Sequence, residues 1–493
     1  MRIYMLNPPY FRKFSRAMRW QGVGRGGTIY YPIWLAYAAG ILESEHQIRL
    51  FDAPARDWGI EDVIRDITGF RPDMIVLDSS FTSWQNDVAV AETIKQSYYE
   101  AIIVLVGPPT SQLSNFFLAN SAIDIVIRGE FDFTLRELAK AVEKRAGYKD
   151  ILGISYKEEE RVVNNPERGL TSSIDLDAIP FVSGVYKRHL NVRDYCISSA
   201  LYPEVQIMAG RGCPHQCTFC VWPQLFTGKK VRMRSVKNFV EEIEWLRDNL
   251  PEVEEVVIED DTFTLRKSWV REFCGEMIRR KIKVTWSCQA RADLSYELLK
   301  KMKKAGCRKV IVGFESGSDG VLRNIKKGLT VSQMKRFAKE AKRSGILLQG
   351  DFVIGLPGEN AEAIQMTRKF IYEVKPEILQ VSIGTPYPGT EFYDWVKNQG
   401  YLTVDDPVHY LDKEGHQTSV ISYPELSNIE IAEAVDKILK EYYISLGYLP
   451  FFLKQIVRKN GFKELIRLIR AAKAFVGYVG REKKTSEPSQ ESL

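Results

Sequence analysis

The sequence predicts an α/β protein: an N-terminal doubly wound parallel sheet, then a partial (β/α)6 barrel, then a helical C-terminal extension. Three observations predict it. Short apolar runs alternate with helix-like segments through residues 1–150. The alternation resumes over residues 201–390 with six further apolar runs. Residues 151–200 between them are irregular and charged, as a linker is. Short buried strands spaced by helices favour parallel sheets covered on both faces.

In the first unit, Arg2–Leu6 is a short strand stopped by Asn7-Pro8-Pro9, and Tyr31–Glu43 is an apolar helix. Ile48–Phe51, Met74–Leu77, Ile102–Val106 and Ile125–Ile127 are further strands. They end at Asp52-Ala53-Pro54, Asp78-Ser79-Ser80, Gly107-Pro108-Pro109 and Arg128-Gly129-Glu130. Ligands of such sheets sit at the carboxyl ends of strands, where these breakers lie. No G-x-G-x-x-G occurs at the first turn, which disfavours a nicotinamide dinucleotide. In the linker, Lys157–Glu160 reads as a solvated turn and Asp175–Pro180 as a crossing segment.

In the second unit, spanning 201–425, the expected strands are Val205–Ala209, Glu255–Ile258, Val284–Cys288, Lys309–Gly313, Gln349–Ile354 and Ile378–Ser382. Helices such as Val236–Asn249, Lys267–Arg280 and Val331–Ser344 lie between them. Chemistry in barrels belongs at the C-terminal ends of the strands.

The third unit, 426–493, is basic. Residues 451–484 hold ten Lys/Arg and two Glu, a net of +8, which leaves −2 for the rest of a chain whose total is +6. The positive charge belongs to one segment, so nucleic acid is not an expected partner. Phe462, Leu465, Ile466, Ile469, Ala472, Val476 and Val479 share one helical face, and Lys463, Arg467 and Arg470 another. Such a helix can lie on an anionic membrane surface, pack on the barrel with a solvated basic side, or receive an acidic electron donor. Residues 483–493 read as a disordered tail. The N-terminus has no signal-peptide pattern, and no apolar run of about 18 residues occurs. A cytoplasmic protein is therefore expected, with peripheral membrane contact through the basic helix.

Seven cysteines, an odd and clustered set, argue for metal ligation over disulfides. Three stand in Gly210-Arg211-Gly212-Cys213-Pro214-His215-Gln216-Cys217-Thr218-Phe219-Cys220, a C-x3-C-x2-C spacing just after the first barrel strand. Three thiolates on one loop can ligate three irons of a cubane cluster and leave the fourth open. A zinc site with His215 as fourth ligand is the bland alternative, but zinc modules pair separated ligand pairs, and Cys274, Cys288 and Cys307 are scattered singly.

C-x3-C-x-aromatic-C, with Phe219 in the aromatic position, resembles the radical S-adenosylmethionine (SAM) superfamily, and the similarity runs over most of residues 200–400. The resemblance implies a [4Fe–4S] cluster on Cys213, Cys217 and Cys220 that reductively cleaves SAM to a 5′-deoxyadenosyl radical. A flavodoxin or ferredoxin would donate the electron. Glu259-Asp260-Asp261 resembles the acidic segment that takes the SAM amino group. Arg291 and Asp293 follow the third strand. Glu315 resembles the ribose- and carboxylate-binding position, Asp351 stands in the adenine-side strand, and Thr385–Thr390 resembles the last barrel-strand motif.

Asn7-Pro8-Pro9, the Tyr31–Glu43 helix and Phe51-Asp52-Ala53 resemble the Rossmann-like cobalamin-binding domain of one radical SAM branch. Asp-x-His-x-x-G is absent, so the resemblance implies cobalamin without a histidine ligand, contacted by Ser79, Ser80, Gly107 and Pro108; a domain retaining the fold without the cofactor is the alternative. Methylthiotransferases are set aside, because residues 1–195 contain no cysteine.

Phe219-Cys220-Val221-Trp222-Pro223-Gln224, with the Tyr31-Pro32-Ile33-Trp34-Leu35-Ala36-Tyr37 helix and Asp52-Ala53-Pro54, resembles hopanoid-biosynthesis radical SAM proteins, associated with the cyclitol ether of bacteriohopanetetrol, and archaeal calditol-lipid synthases look related. That likeness implies rearrangement or ring formation on a polyol-bearing membrane lipid or isoprenoid. The alternative is a cobalamin-dependent C- or P-methyltransferase acting on a small-molecule natural product. Cys288, at an expected strand end, is a candidate hydrogen-atom donor to a substrate radical, or a small buried hydrophobe.

Overall fold

The computed structural model describes residues 1–16, 21–159 and 161–445, and beyond them Tyr448, Leu465, Ile466, Leu468, Ile469, Ala472 and Lys473. The N-terminal sheet contains β1 (Arg2–Asn7), β2 (Gln47–Asp52), β3 (Met74–Asp78), β4 (Ile102–Val106) and β5 (Ile125–Ile127), with a hairpin of β6 (Ile154–Glu158) and β7 (Arg161–Asn164). Their order is β2-β1-β3-β4-β5-β6-β7. The first five are parallel, and β6 and β7 run antiparallel at one edge. The first sheet thus extends past residue 150 into the expected linker.

Alternation along these strands builds two cores. Ile3, Met5, Met74, Val76, Val104 and Val106 face one layer, with α1 (Ile33–Leu42) and, further along the chain, Asp132–Glu143. Tyr4, Leu6, Ile75, Leu77, Ile103 and Leu105 face the other, with α2 (Ile60–Phe70), α3 (Trp84–Ser97) and α4 (Thr110–Asn120). Asp132–Glu143 is α5. Period-two side-chain direction explains why near-continuous apolar runs suit a sheet covered on both sides.

The second sheet holds β8 (Glu204–Ile207), β9 (Glu255–Ile258), β10 (Trp286–Ala290), β11 (Cys307–Glu315), β12 (Leu347–Ile354) and β13 (Ile378–Ile383), in that order. All neighbours are parallel. With α6 (Val182–His189) ahead of β8, the intervening helices include α7 (Val236–Asn249), α8 (Lys267–Arg279), α9 (Tyr296–Lys304), α10 (Val331–Ser344) and α11 (Ala361–Val374). Then α12 (Glu391–Asn398) and α13 (Asn428–Ile444) complete the described fold. This is the expected partial (β/α)6 barrel, with two open edges.

Tyrosines cover both edges. All ten residues of α1 are buried. On the β8 side, Tyr31 Oη donates to Glu204 O at 2.9 Å and Tyr186 Oη to Gln206 O at 3.0 Å, while Met208 N donates to Tyr37 Oη at 2.8 Å. On the β13 side, Tyr443 Oη of α13 accepts from Leu379 N at 2.9 Å and donates to Leu379 O at 2.7 Å. An edge strand otherwise presents unpaired backbone groups, and each buried one left unpaired costs about 1–3 kcal/mol. The Tyr31–Glu43 helix therefore also docks the first unit on the barrel.

One expectation is corrected here. The third barrel strand runs Trp286–Ala290, two residues later than expected, and its alternation turns Cys288 outward. Cys288 is fully buried in the helix-side core with Cys274 and Cys307, so it has no line to a substrate. On the expected apolar C-terminal face Ile466 and Ile469 are exposed, while Leu468, off that face, is buried. Phe462, Lys463, Arg467, Arg470, Val476 and Val479 lie outside the described residues. Among the described residues no helix is long and apolar enough to cross a membrane.

Candidate active site

A cavity of about 1020 Å³ opens at the C-terminal ends of the barrel strands and reaches into the lumen. One wall is the cysteine loop. Gly212 has φ +89°, and a Cβ there would sit 2.2 Å from Lys230 O, so the loop's tight turn excludes a side chain. Cys213 N donates to Gly228 O and Cys220 N to Cys217 O, both at 3.2 Å. Gln224 Nε2 donates to the carbonyls of Cys217, Thr218 and Cys220 at 3.3, 3.0 and 2.8 Å. Its Oε1 accepts from Glu391 N at 2.9 Å. One amide thus holds the loop closed and ties it to α12.

Cys213, Cys217 and Cys220 all line the cavity, as does Phe219. Among the described residues no three His, Cys, Asp or Glu side chains close on one point in the manner of a single-ion site. A cubane spreads its ligands over separate irons, and three thiols along one cavity wall match that requirement. Burial pushes the thiols of Cys213 and Cys217 up; iron coordination reverses that by stabilising thiolate. His215 also lines the cavity, and burial beside Arg291 and Lys327 pushes it down to about 4, so its ring is neutral.

The acidic segment divides in two. Glu259 and Asp261 line the cavity, and Asp261 Oδ2 also accepts from Gly212 N at 2.7 Å. Asp260 turns away, fully buried. Its Oδ1 accepts from Ala209 N at 2.7 Å, and burial pushes its pKa up to about 8. Asp260 therefore bonds the end of the first barrel strand instead of facing a ligand.

Arg291 lines the cavity and donates through Nη2 to Gly328 O at 3.1 Å. Asp293 lies off the cavity, paired with Lys267 at 3.2 Å. Glu315 sits at φ +63° where the β11–β12 register breaks. That left-handed backbone costs about 1–3 kcal/mol for a non-glycine residue. Lys327 meets Glu315 at 2.7 Å. Burial pulls Lys327 down, but the facing carboxylate outweighs it and leaves the pKa above the ordinary lysine value. Asp351 also faces the cavity. Lys327 carried no recognisable motif; only the fold brings it to Glu315.

The first unit supplies the opposite wall. Residues 22–26, with Thr28, Tyr30, Ile33 and Trp34, line the same cavity and face Trp222 and Pro223. The Trp34 and Trp222 rings lie 5.6 Å apart. A glycine-rich segment beside two indoles fits a broad, largely apolar ring such as a corrin.

Ser79, Ser80, Gly107 and Pro108 are not among the residues that line this cavity. Ser79 Oγ donates to Asp87 Oδ2 at 2.9 Å, and Ser80 Oγ meets Ser83 Oγ at 2.7 Å. The buried Arg16 completes this network, donating to Asn7 Oδ1 and Pro8 O at 2.8 Å and to Asp87 Oδ1 at 2.5 Å. Gly107, at φ +111°, lets β4 end against Ser79: a Cβ would come within 2.2 Å of Ser79 O. In this structure these strand ends serve one another.

Comparisons with known proteins agree with this division. The family model of the radical SAM superfamily matches residues 207–371, and that of the B12 binding domain matches residues 22–139. An uncharacterized methyltransferase of Pyrococcus horikoshii is 31% identical over 473 residues, 94% of this chain and 96% of that protein. The chain belongs to the B12-binding branch of the radical SAM superfamily. It is an enzyme, and its cofactors are a [4Fe–4S] cluster, SAM and cobalamin. Hopanoid C-3 methylase of Methylococcus capsulatus is 24% identical over 378 residues, 75% of this chain and 68% of that protein. The solved radical SAM methyltransferase TsrM from Kitasatospora setae, with cobalamin and a [4Fe–4S] cluster bound, shares the fold with a TM-score of 0.70. It is 16% identical and covers 96% of this chain, which covers 99% of it.

Proposed function

We propose that this radical SAM enzyme is a cobalamin-dependent methyltransferase acting on a small organic molecule. One observation carries the reading: the cysteine loop and the glycine-rich segment of the B12-binding domain line the same cavity. Methyl relay needs the SAM end and the corrin face in one enclosed space, whereas a rearrangement needs only the SAM end. The names of the P. horikoshii and M. capsulatus relatives point the same way.

When bound, the cluster and SAM would supply an organic radical, and cobalamin a methyl carrier. Cys213, Cys217 and Cys220 would hold the cluster, with Phe219 against it. Glu259 and Asp261 would take the SAM ammonium, as carboxylates do. Lys327, backed by Glu315, would meet the SAM carboxylate, with Glu315 free to accept from the ribose. Arg291, anchored to the Lys327–Gly328 backbone, and Asp351 would close the site. The barrel wall excludes water and orients the partners.

The test is incubation of reconstituted enzyme with methyl-labelled SAM and cell extract. Label in a product together with S-adenosylhomocysteine supports methyl transfer. Formation of 5′-deoxyadenosine with no label in any product rejects it in favour of rearrangement.

A further inference from the structure

The cysteine loop has an outer side as well as the side that faces the cavity. Pro214 and Gln216 are exposed there, each next to a thiol that lines the cavity. The loop is one layer of chain thick at this point.

The two flanks of that outer side differ. On one, Thr218 N donates to Ile325 O at 3.1 Å, which sets Lys326 beside the loop, but Lys326 is paired with Glu391. On the other, the turn Gly228-Lys229-Lys230 is held against the loop. Cys213 N donates to Gly228 O at 3.2 Å, and a Cβ on Gly212 would come within 2.2 Å of Lys230 O. Just beyond the turn, Arg232–Met233 pairs antiparallel with Gly210–Arg211, and this ribbon fixes the turn in place. Lys229 and Lys230 are exposed, as is Arg266, whose Nη2 donates to Val231 O at 2.9 Å. Among the described residues no carboxylate pairs with any of these three cations. Asp293 is taken by Lys267 at 3.2 Å, and Asp175 is turned back on Ser172, whose Oγ donates to it at 2.6 Å.

An apolar patch adjoins these charges. The Leu170 side chain lies over Gly228: a Cβ on that glycine, at φ +71°, would meet Leu170 Cδ1 at 2.5 Å. Leu170 is 40% exposed, and Ile174, in the short helix Ser173–Ala178, is 83% exposed. Met233 N donates to Ser173 Oγ at 3.2 Å, which ties that helix to the same ribbon. Apolar side chains left in water beside unpaired cations have the make-up of a protein interface, an apolar centre with a charged rim. The positive rim selects an acidic partner. The hydrogen bond from Cys213 to Gly228 brings a partner seated there within one turn of chain of a cluster ligand, and electron transfer slows steeply with distance.

We propose that Leu170, Ile174, Lys229, Lys230 and Arg266 form the docking surface for a small acidic one-electron carrier protein, which reduces the cluster across the Gly228–Cys213 contact. One electron passes from the carrier's reduced group to the cluster. The carrier is oxidised and the cluster reduced by one electron each, and no bond is made or broken. The basic C-terminal helix is the rival receiver. Its described residues Leu468 and Ala472 line the cavity with Leu439 and Tyr443 of α13, at the β13 edge of the sheet, whereas the cysteine loop follows β8 at the other edge. The surface stands apart from the methyltransferase reading, since any use of the cluster begins with its reduction.

The experiment uses the anaerobically reconstituted holoenzyme, with flavodoxin as the probe. Binding of oxidised flavodoxin is measured by calorimetry at low salt. Reduction of the cluster by flavodoxin hydroquinone is followed by loss of visible absorbance, with dithionite as a small reductant that needs no docking. Lys229→Glu combined with Lys230→Glu should weaken binding and slow reduction by flavodoxin about tenfold or more, because charge steering contributes about 10- to 1000-fold to association. Iron content and reduction by dithionite should match wild type. The difference should fall away in about 1 M salt, where charges are screened beyond about 3 Å. Ile174→Glu, on a separate element, should act in the same direction and covers the case in which the lysine variant loses iron. Lys463→Glu, Arg467→Glu and Arg470→Glu together, at positions outside the described residues, should leave both readouts unchanged. No saturable flavodoxin binding, wild-type binding in an iron-replete lysine variant or in Ile174→Glu, equal slowing with dithionite, or an equal loss on reversing the C-terminal charges would each overturn the proposal. Neither readout involves SAM or methyl transfer.

Discussion

Arg211, two residues ahead of Cys213, donates from both Nη atoms to Asp132 at the start of α5, at 2.6 and 3.0 Å. The pair is buried, and the guanidinium lies 4.7 Å from the Trp34 ring centroid. Glu130 joins from the same turn and holds Arg232 at 2.7 Å. The cysteine loop is thereby bolted to the B12-binding unit.

Breaking that bolt from one side leaves a buried charge. Asp132→Ala is expected to lower stability by about 3–5 kcal/mol, read as a fall in the thermal midpoint of the apo protein. The double variant Asp132→Ala with Arg211→Met, which removes both charges of the pair and keeps the apolar contact with Trp34, should cost less. Equal losses in the two variants would contradict this account.

Gln224 closes the cysteine loop with one side chain. Gln224→Ala leaves three carbonyls and the Glu391 amide without their partner, a loss of about 1–3 kcal/mol for the buried groups. The expected readout is faster iron loss to a chelator, with SAM cleavage falling in step. Gln224→Glu keeps the acceptor for Glu391 N but loses the donor, so it should resemble alanine. A glutamate variant that retains iron like wild type would show that the donor side is not what matters.

Tyr443 supplies both partners of the Leu379 backbone at the open barrel edge. Tyr443→Phe removes them and is expected to cost about 1–3 kcal/mol in urea denaturation. An unchanged midpoint would mean that water takes over both groups.

Several carboxyls are buried so deeply that they stay protonated near neutrality. Burial pushes Glu204 and Glu359 up to about 8, and Asp260 likewise. A raised folded pKa means the folded state binds more protons than the unfolded chain between about pH 4 and 8. Its stabilising contribution is complete below the unfolded value and is lost as pH rises through the folded one. Each group adds a slope of up to about 1.4 kcal/mol per pH unit. His215 and His46, pushed down by burial, act oppositely, but only below about pH 6.5. Stability should therefore decline from pH 6.5 to 8. Glu359→Gln, whose amide oxygen can still accept from Gly355 N and Leu356 N, should flatten that decline. A Glu359→Gln slope identical to wild type would remove Glu359 from the explanation.

The barrel strands were legible because buried parallel strands are near-continuous apolar runs, and β9 begins and ends at the residues its pattern marks. The cysteine triad was legible because its ligands are local: three thiols within eight residues need no tertiary contact to be recognised. Strand phase was harder. A run read as Val284–Cys288 folds as Trp286–Ala290, and facing direction at its end decides whether Cys288 meets the cavity. Gln206, Gln289, Gln349 and Gln380 were readable in principle, as polar residues at alternating positions of apolar strands, but only the curled sheet brings them to one cavity.

The sequence by itself determined two α/β units, a cysteine loop suited to a cubane, and a following series of acidic residues, because each depends on spacing along one stretch of chain. Tertiary structure alone decided which of those residues share a cavity. Asp260 and Ser79 were spent on backbone and on a buried network, Lys327 was brought to Glu315, and Arg211 was joined to Asp132 across 79 residues. The physical reason is common to all of them. A buried polar group must find a partner, and which partner lies within 3 Å is a property of packing, not of order along the chain.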